Sequence, residues 1–156
     1  MDNRGFTVIE LLISLAITGI LAGMAAFQLS HQSEHTRLSH ASGSLISDLR
    51  WARQMAVNQG EEIRLVLDTI TDRYWVERTT RPEIVVGTVR DFKDERQGYG
   101  GIDLASSSNG DTIRFFPKGT TNTWTTITLR NNDGEERKIT LLATGRVRLY
   151  EKKDDK

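Results

Sequence analysis

The sequence predicts an α+β protein in which one long amino-terminal helix, half apolar and half amphipathic, packs on an antiparallel β-sheet domain. Three observations predict it. Residues 6–29 form an apolar run with a single ionisable side chain, Glu10. Residues 30–59 repeat apolar side chains at helical steps, and no proline interrupts residues 6–58. From Gly60 onward the period changes to short alternating strands separated by turn residues.

The first element is read as a membrane helix. At about 1.5 Å per residue, residues 6–29 cover a bilayer core of about 30 Å with a little to spare. A cleaved secretory signal would have an apolar core of only about 7–15 residues, ending at small residues. Ala22 and Ala25-Ala26 imitate such a site, but the run is too long and its acid is in the wrong place, so a permanent anchor is expected. A carboxylate inside the span costs about 2.5–3.5 kcal/mol on insertion scales, which makes Glu10 a functional candidate. Its bland alternative is a shallow position from which the side chain reaches the interface. Gly19 and Gly23 form a small-xxx-small pair, compatible with close helix approach but also with the ordinary composition of membrane helices.

The second element continues the first. Leu38, Ala41, Leu45, Leu49, Ala52 and Ala56 recur at three- and four-residue steps, with Ile46 and Met55 widening the stripe. Ser39, Ser42, Asp48, Arg50 and Arg53 fill the polar face, and Gly60 is the stop. One helix of about 80 Å is expected.

Strands are expected at 62–67, 73–78, 84–89, 111–116, 123–129, 137–142 and 146–150. Residues 68–72 supply a turn, Asp133-Gly134 a tight hairpin, and Thr144-Gly145 another turn. Residues 97–110, rich in Gly and Ser, read as a flexible loop, and the charged residues 151–156 as a frayed tail.

Composition sets limits on function. With 156 residues there is room for one modest domain plus an anchor. The 21 basic and 21 acidic residues cancel, which removes any whole-chain electrostatic argument for nucleic acid. Cysteine is absent, excluding disulfides, thiolate metal sites and a thiol nucleophile.

The run Arg4-Gly5-Phe6-Thr7-Val8-Ile9-Glu10-Leu11-Leu12-Ile13 resembles the prepilin peptidase signature of type IV pilins and type II secretion pseudopilins. Further along, Leu49-Arg50-Trp51-Ala52-Arg53-Gln54-Met55-Ala56, Ile113-Arg114-Phe115-Phe116-Pro117-Lys118-Gly119 and Thr144-Gly145-Arg146-Val147-Arg148-Leu149 are similar, in order, to the GspH/FimT group within it. The resemblance implies a leader, residues 1–5, cut after Gly5 by prepilin peptidase, and N-methylation of the new terminus, Phe6. It implies a span at 6–29 in the inner membrane of a Gram-negative cell with the amino terminus cytoplasmic, an amphipathic continuation at 30–59, and a periplasmic β-rich domain at 60–150. Glu10 would then pair with the amino terminus of a neighbouring subunit, setting register in a filament. The implied partners are other pilins or pseudopilins, the peptidase and membrane lipid. The implied work is a minor pseudopilin's, in the periplasmic pseudopilus of type II secretion. The alternatives are a type IV minor pilin and a pilus-assembly initiator.

No catalytic, metal or cofactor site and no small-molecule substrate is expected. His31-Gln32-Ser33-Glu34-His35 has a zinc-protease spacing but would lie on a narrow stalk without a pocket. Asn131-Asn132-Asp133-Gly134-Glu135-Glu136 has oxygens but not the spacing of a calcium loop, and reads as a solvated hairpin tip. Gly145-Arg146-Val147-Arg148 remains. In a strand, Arg146 and Arg148 share one side about 7 Å apart, with Val147 and Leu149 facing inward, so both guanidinium groups could reach one phosphate backbone. Some FimT-type pilins hold DNA with a similar segment. Solubilising arginines on an edge strand are the plainer alternative, and Glu151, Asp154 and Asp155 dilute the charge.

Overall fold

The computed structural model describes residues 7–106 and 111–150, apart from the side chains of 25–33 and 82–84. The chain divides into two compact units, residues 1–33 and 34–156. The leader 1–5, Phe6 and the tail 151–156 lie outside the described residues, as do the side chains of 25–29 in the expected span and the loop residues 107–110. Among the described residues no helix is long and apolar enough to cross a membrane.

Helix α1 runs Val8–Gln59. In the first unit its apolar side chains have no cover: Val8, Ile9, Leu11, Leu12, Leu15, Ile20 and Met24 are each at least 60% exposed. Thr7 starts the helix. Its hydroxyl accepts the N–H of Glu10 at 3.3 Å, the first half of a capping box in which Glu10 holds the third position. In the second unit the stripe Leu38, Ala41, Leu45, Leu49, Ala52 and Ala56 is buried, with Ile46 and Met55 packed beside it. Ser42, expected on the solvated face, is buried as well. Its hydroxyl donates to the Ser39 carbonyl at 2.9 Å, so the turn beneath it satisfies the polar atom. After Gln59 the chain turns at Gly60, whose φ is +67°.

Strands β1 (Ile63–Asp68), β2 (Arg73–Arg78), β3 (Arg81–Val85), β4 (Arg90–Asp91) and β6 (Thr112–Phe115) form one antiparallel sheet, ordered β3-β2-β1-β6 with β4 also paired to β2. Strands β5 (Asp103–Ser106), β7 (Thr125–Arg130), β8 (Glu136–Leu141) and β9 (Val147–Tyr150) form a second, ordered β5-β7-β8-β9. Alternation decides which side chains turn inward. Ile63, Leu65 and Leu67 of β1, and Thr125, Ile127 and Leu129 of β7, are buried while their neighbours are not. One core joins the apolar members of this set to the helix stripe.

Three hairpins share a single turn chemistry. In 116–120, 131–135 and 142–146 the first N–H donates to the fifth carbonyl, at 2.9, 3.1 and 2.9 Å. The fourth residue of each is a glycine at positive φ: Gly119, Gly134 and Gly145. This is the three-residue loop with a left-handed glycine that suits twisted strands. At 131–135 the tip is less solvated than expected: Asn131 is buried, and its side-chain oxygen accepts the Glu135 N–H at 2.8 Å.

Two expectations are corrected. The strand expected at 84–89 splits, because Gly87 at φ +93° takes the chain off the sheet after Val86 donates to the Val76 carbonyl. Residues 97–110 are not simply a flexible loop. Tyr99, Ile102 and Leu104 are buried, and β5 pairs with β7. The Gly and Ser content conceals these anchors, while Gly98 and Gly101 at positive φ bend the chain so that they reach the core. Tyr99 then meets Phe92 edge-on at 5.6 Å, and its hydroxyl lies 2.9 Å from that of Ser44.

Asp72 joins the sheets. Its φ is +55°, left-handed for a residue with a side chain. Its carbonyl accepts the Phe92 N–H at 2.9 Å, and its carboxylate accepts the Leu104 N–H at 2.7 Å. Asp72→Ala leaves that buried N–H without a partner and should cost about 1–3 kcal/mol. Asp72→Asn keeps the accepting oxygen and should cost less than half as much. Urea unfolding of the two variants checks the order, and equal losses would mean that charge, not the hydrogen bond, holds the corner.

Candidate functional site

Two regions carry the residues that the sequence singles out. The first is the start of α1, where Gly5 and Phe6 lie outside the described residues and Glu10 stands in the first turn. Its neighbours there are apolar and exposed, so the acid is isolated on an uncovered surface. The capping role of Thr7 was legible as Thr-x-x-Glu ahead of an apolar run. An acid at this position is also favoured by the positive end of the helix dipole.

The second region is a cleft of about 350 Å³ lined by Arg50, Arg53, Gly145, Arg146, Val147 and Arg148. Two of its arginines come from α1, three residues apart, and two from the β8–β9 hairpin. Arg53 is the fastener: its Nε–H donates to the Gly119 carbonyl at 2.8 Å. The turn at 116–120 is tied in turn to the one at 142–146, because the Thr121 N–H donates to the Ala143 carbonyl at 2.9 Å. Gly145 packs so tightly that an added Cβ would run into the Gly119 carbonyl and come within 2.7 Å of Arg53 Nε. Glycine is thus required here twice over, for its φ of +74° and for the close approach of the Gly119 backbone and the Arg53 side chain. Among the described residues no carboxylate pairs with Arg50, Arg146 or Arg148, and all three are exposed.

The strand reading of this segment needs two corrections. Val147 is partly buried against the core, but Leu149 is 41% exposed, because β9 is the last strand of its sheet and nothing described flanks it. Arg146 precedes the strand, in the turn. Arg50 and Arg53 were visible in sequence only as part of a polar helix face. Their convergence with Gly145-Arg146-Val147-Arg148 depends on a fold that brings residues almost a hundred positions apart together.

A polar group elsewhere is structural. Asp48 of α1 accepts the Tyr74 hydroxyl at 2.9 Å and pairs with Arg90 at 3.1 Å, tying β2 and β4 to the helix. Burial, then the adjacent Asp48 carboxylate, pushes the Tyr74 hydroxyl far above its ordinary value, so it stays a neutral donor. Among the described residues no group of three or more metal-ligating side chains is present. The His31 side chain lies outside the described residues, and His35 approaches Glu135 at 3.3 Å.

An amino-terminal helix backed by antiparallel sheets is the pilin and pseudopilin fold. Among solved structures, the type IV minor pilin FimU of Pseudomonas aeruginosa matches with a TM-score of 0.61 at 22% identity, over 76% of this chain and 92% of that one. The minor pseudopilin EpsH of the type 2 secretion system of Vibrio cholerae matches with a TM-score of 0.58 at 15% identity, over 73% and 96%. The chain belongs to the family described as type II transport protein GspH, whose sequence model matches residues 41–145, and it carries the prokaryotic N-terminal methylation motif at residues 1–26. A fimbrial protein of Pseudomonas aeruginosa is 42% identical over 61 residues, and the match spans 39% of each chain. The family is one of minor pilins and pseudopilins.

The glycine clasp has a measurable signature. Gly145→Ala meets both a backbone oxygen and a left-handed φ, and should cost more than about 2 kcal/mol. Gly134→Ala, at φ +83° with open space around it, should cost about 1 kcal/mol. Thermal melts of both variants test this, and a Gly145→Ala penalty no larger than that of Gly134→Ala would remove the close-packing argument.

Proposed function

We propose that this chain is a minor pseudopilin of a type II secretion system, anchored in the inner membrane and drawn into a periplasmic pseudopilus that moves folded proteins outward. The observation that carries the reading is the uncovered apolar helix Val8–Met24 with Glu10 as its one acid. An apolar surface of this extent, bare in the isolated chain, is covered by lipid or by other subunits. In this proposal residues 1–5 are removed by prepilin peptidase, Phe6 is methylated, 6–29 span the membrane, 30–59 continue the helix, and the β-rich domain 60–150 with its tail 151–156 stays periplasmic. Glu10 meets the terminal amine of a neighbouring Phe6, so two charges costly in an apolar setting satisfy each other only in correct register. The description of the matched family and the shared fold of EpsH support the secretion role. Uptake of DNA by a minor pilin through Arg146 and Arg148 is the weaker reading, since the formal charge of the whole chain is zero.

Mass spectrometry of the membrane-extracted protein should find N-methylated Phe6 as the first residue. An intact Met1 in cells with active prepilin peptidase would defeat the processing scheme.

Glu10→Gln isolates the charge of that side chain. Glutamine still suits the third helix position of a capping box, so helix start and membrane insertion should persist. The charge is gone, and crosslinking to neighbouring subunits and secretion should fall by about tenfold or more. Unchanged assembly in this variant would remove the register role of Glu10.

A further inference from the structure

Three features meet at the cleft between α1 and the β8–β9 hairpin, and none is used by the anchor or by Glu10. The first is charge: Arg50, Arg146 and Arg148 are exposed, without a carboxylate partner among the described residues, around a space of about 350 Å³. The second is an open edge. Among the described residues β9 pairs with β8 alone, as the last strand of its sheet. The Leu142 N–H donates to the Arg146 carbonyl, and alternation along the ladder then directs the backbone groups of Arg148 and Tyr150 toward β8. Those of Val147 and Leu149, about 7 Å apart along the strand, consequently face outward, unpaired among the described residues. The third is apolar surface, since Leu149 and Tyr150 are 41% and 64% exposed beside the same edge.

We infer that this cleft docks an extended acidic segment of a neighbouring filament subunit, which adds as a strand to the open edge of β9. The outward N–H and C=O groups of Val147 and Leu149 bind the backbone of the incoming segment. Its carboxylates meet Arg50, Arg146 and Arg148, and its alternate apolar side chains extend the face begun by Leu149. Strand addition uses ladder hydrogen bonds for affinity and side-chain pockets for selection, and planar guanidinium groups suit carboxylates in two-point contact. Arg53 acts here as a positioning residue: through Gly119 it holds the 142–146 turn against α1, and so keeps Arg146 beside Arg50. Phosphates would satisfy the arginines equally well, but they would make no use of an unpaired strand edge with exposed Leu149. A protein strand uses all three features.

The inference rests on the filament reading for the identity of the partner, and not for the chemistry of the cleft. The test therefore begins in vitro, with the full chain in detergent micelles. The probes are a short peptide alternating Glu and Val, its Lys/Val counterpart, polyglutamate and a DNA duplex. The Glu/Val peptide should bind best, and hydrogen exchange should slow at the Val147 and Leu149 amides while Thr128, inside the sheet, is unchanged. Arg50→Glu should weaken the peptide by about tenfold or more with an unaltered melting temperature, whereas Arg50→Lys should recover most of the loss. Tighter binding of duplex DNA than of the peptide would assign the cleft to nucleic acid and overturn the proposal. Equal binding of polyglutamate without protection of Val147 and Leu149 would overturn strand addition, as would indifference to Arg50→Glu. In cells, a photo-crosslinker in place of Tyr150 should capture another filament subunit through an acidic segment. Capture of none, in cells where Glu10→Gln shows that the protein does assemble, would overturn the assignment of the partner while leaving the filament reading intact.

Discussion

Burial of one stripe of α1 against two sheets at once is the constraint on which the rest of the domain depends. Leu38, Leu45 and Leu49 provide bulk, and Ala41, Ala52 and Ala56 are buried between them along the same stripe. Each buried leucine contributes about 1.5–3 kcal/mol. Because the sheets share this core, the helix is not an appendage to a finished β domain. Strands of both sheets close over the same row of side chains, so neither sheet has a complete core without the helix.

Polar contacts locate what the apolar stripe leaves free to slide. Asp48 ties β2 and β4 through Tyr74 and Arg90, Ser44 meets Tyr99, and Arg53 holds the glycine turns. They lie along one helix, at residues 44, 48 and 53, on the margins of the buried stripe. Such marginal positions suit polar contacts: they are shielded enough to strengthen a hydrogen bond, yet close enough to water that desolvation stays small. Asp72 does the corresponding work away from the helix, where β2, β4 and β5 converge. The helix at 8–24 differs in kind. There the apolar side chains that the domain would bury are displayed, and one acid is displayed with them.

How far the fold was legible varied with the range of the interactions concerned. The stripe from Leu38 to Ala56 was readable residue by residue, since helical periodicity is local and each member proved buried. Most strands were readable from alternation, and two of the three glycine hairpins from Asp133-Gly134 and Thr144-Gly145. Residues 97–110 misled because composition outweighed position. Tyr99, Ile102 and Leu104 are spaced for a turn that Gly98 and Gly101 bend, and they have no strand period of their own to announce them. The 84–89 segment misled in the opposite sense: its valines alternate with nothing that warns of Gly87 leaving the sheet. Leu149 misled because alternation assigns a face but not the presence of a neighbour to cover it.

The sequence by itself determined the order of elements, the membership of the core on the helix, the isolation of Glu10 and the family to which the chain belongs. These follow from patterns within a few residues, where covalent spacing alone sets which side chains share a face. Only the tertiary structure decided that Arg50 and Arg53 share a cleft with Arg146 and Arg148, that Gly119 and Gly145 pack against one another, and that β9 is left as an open edge. Each of these is a meeting of segments far apart in the chain. Such a meeting is fixed by how the two sheets close over the helix, and no local period encodes it.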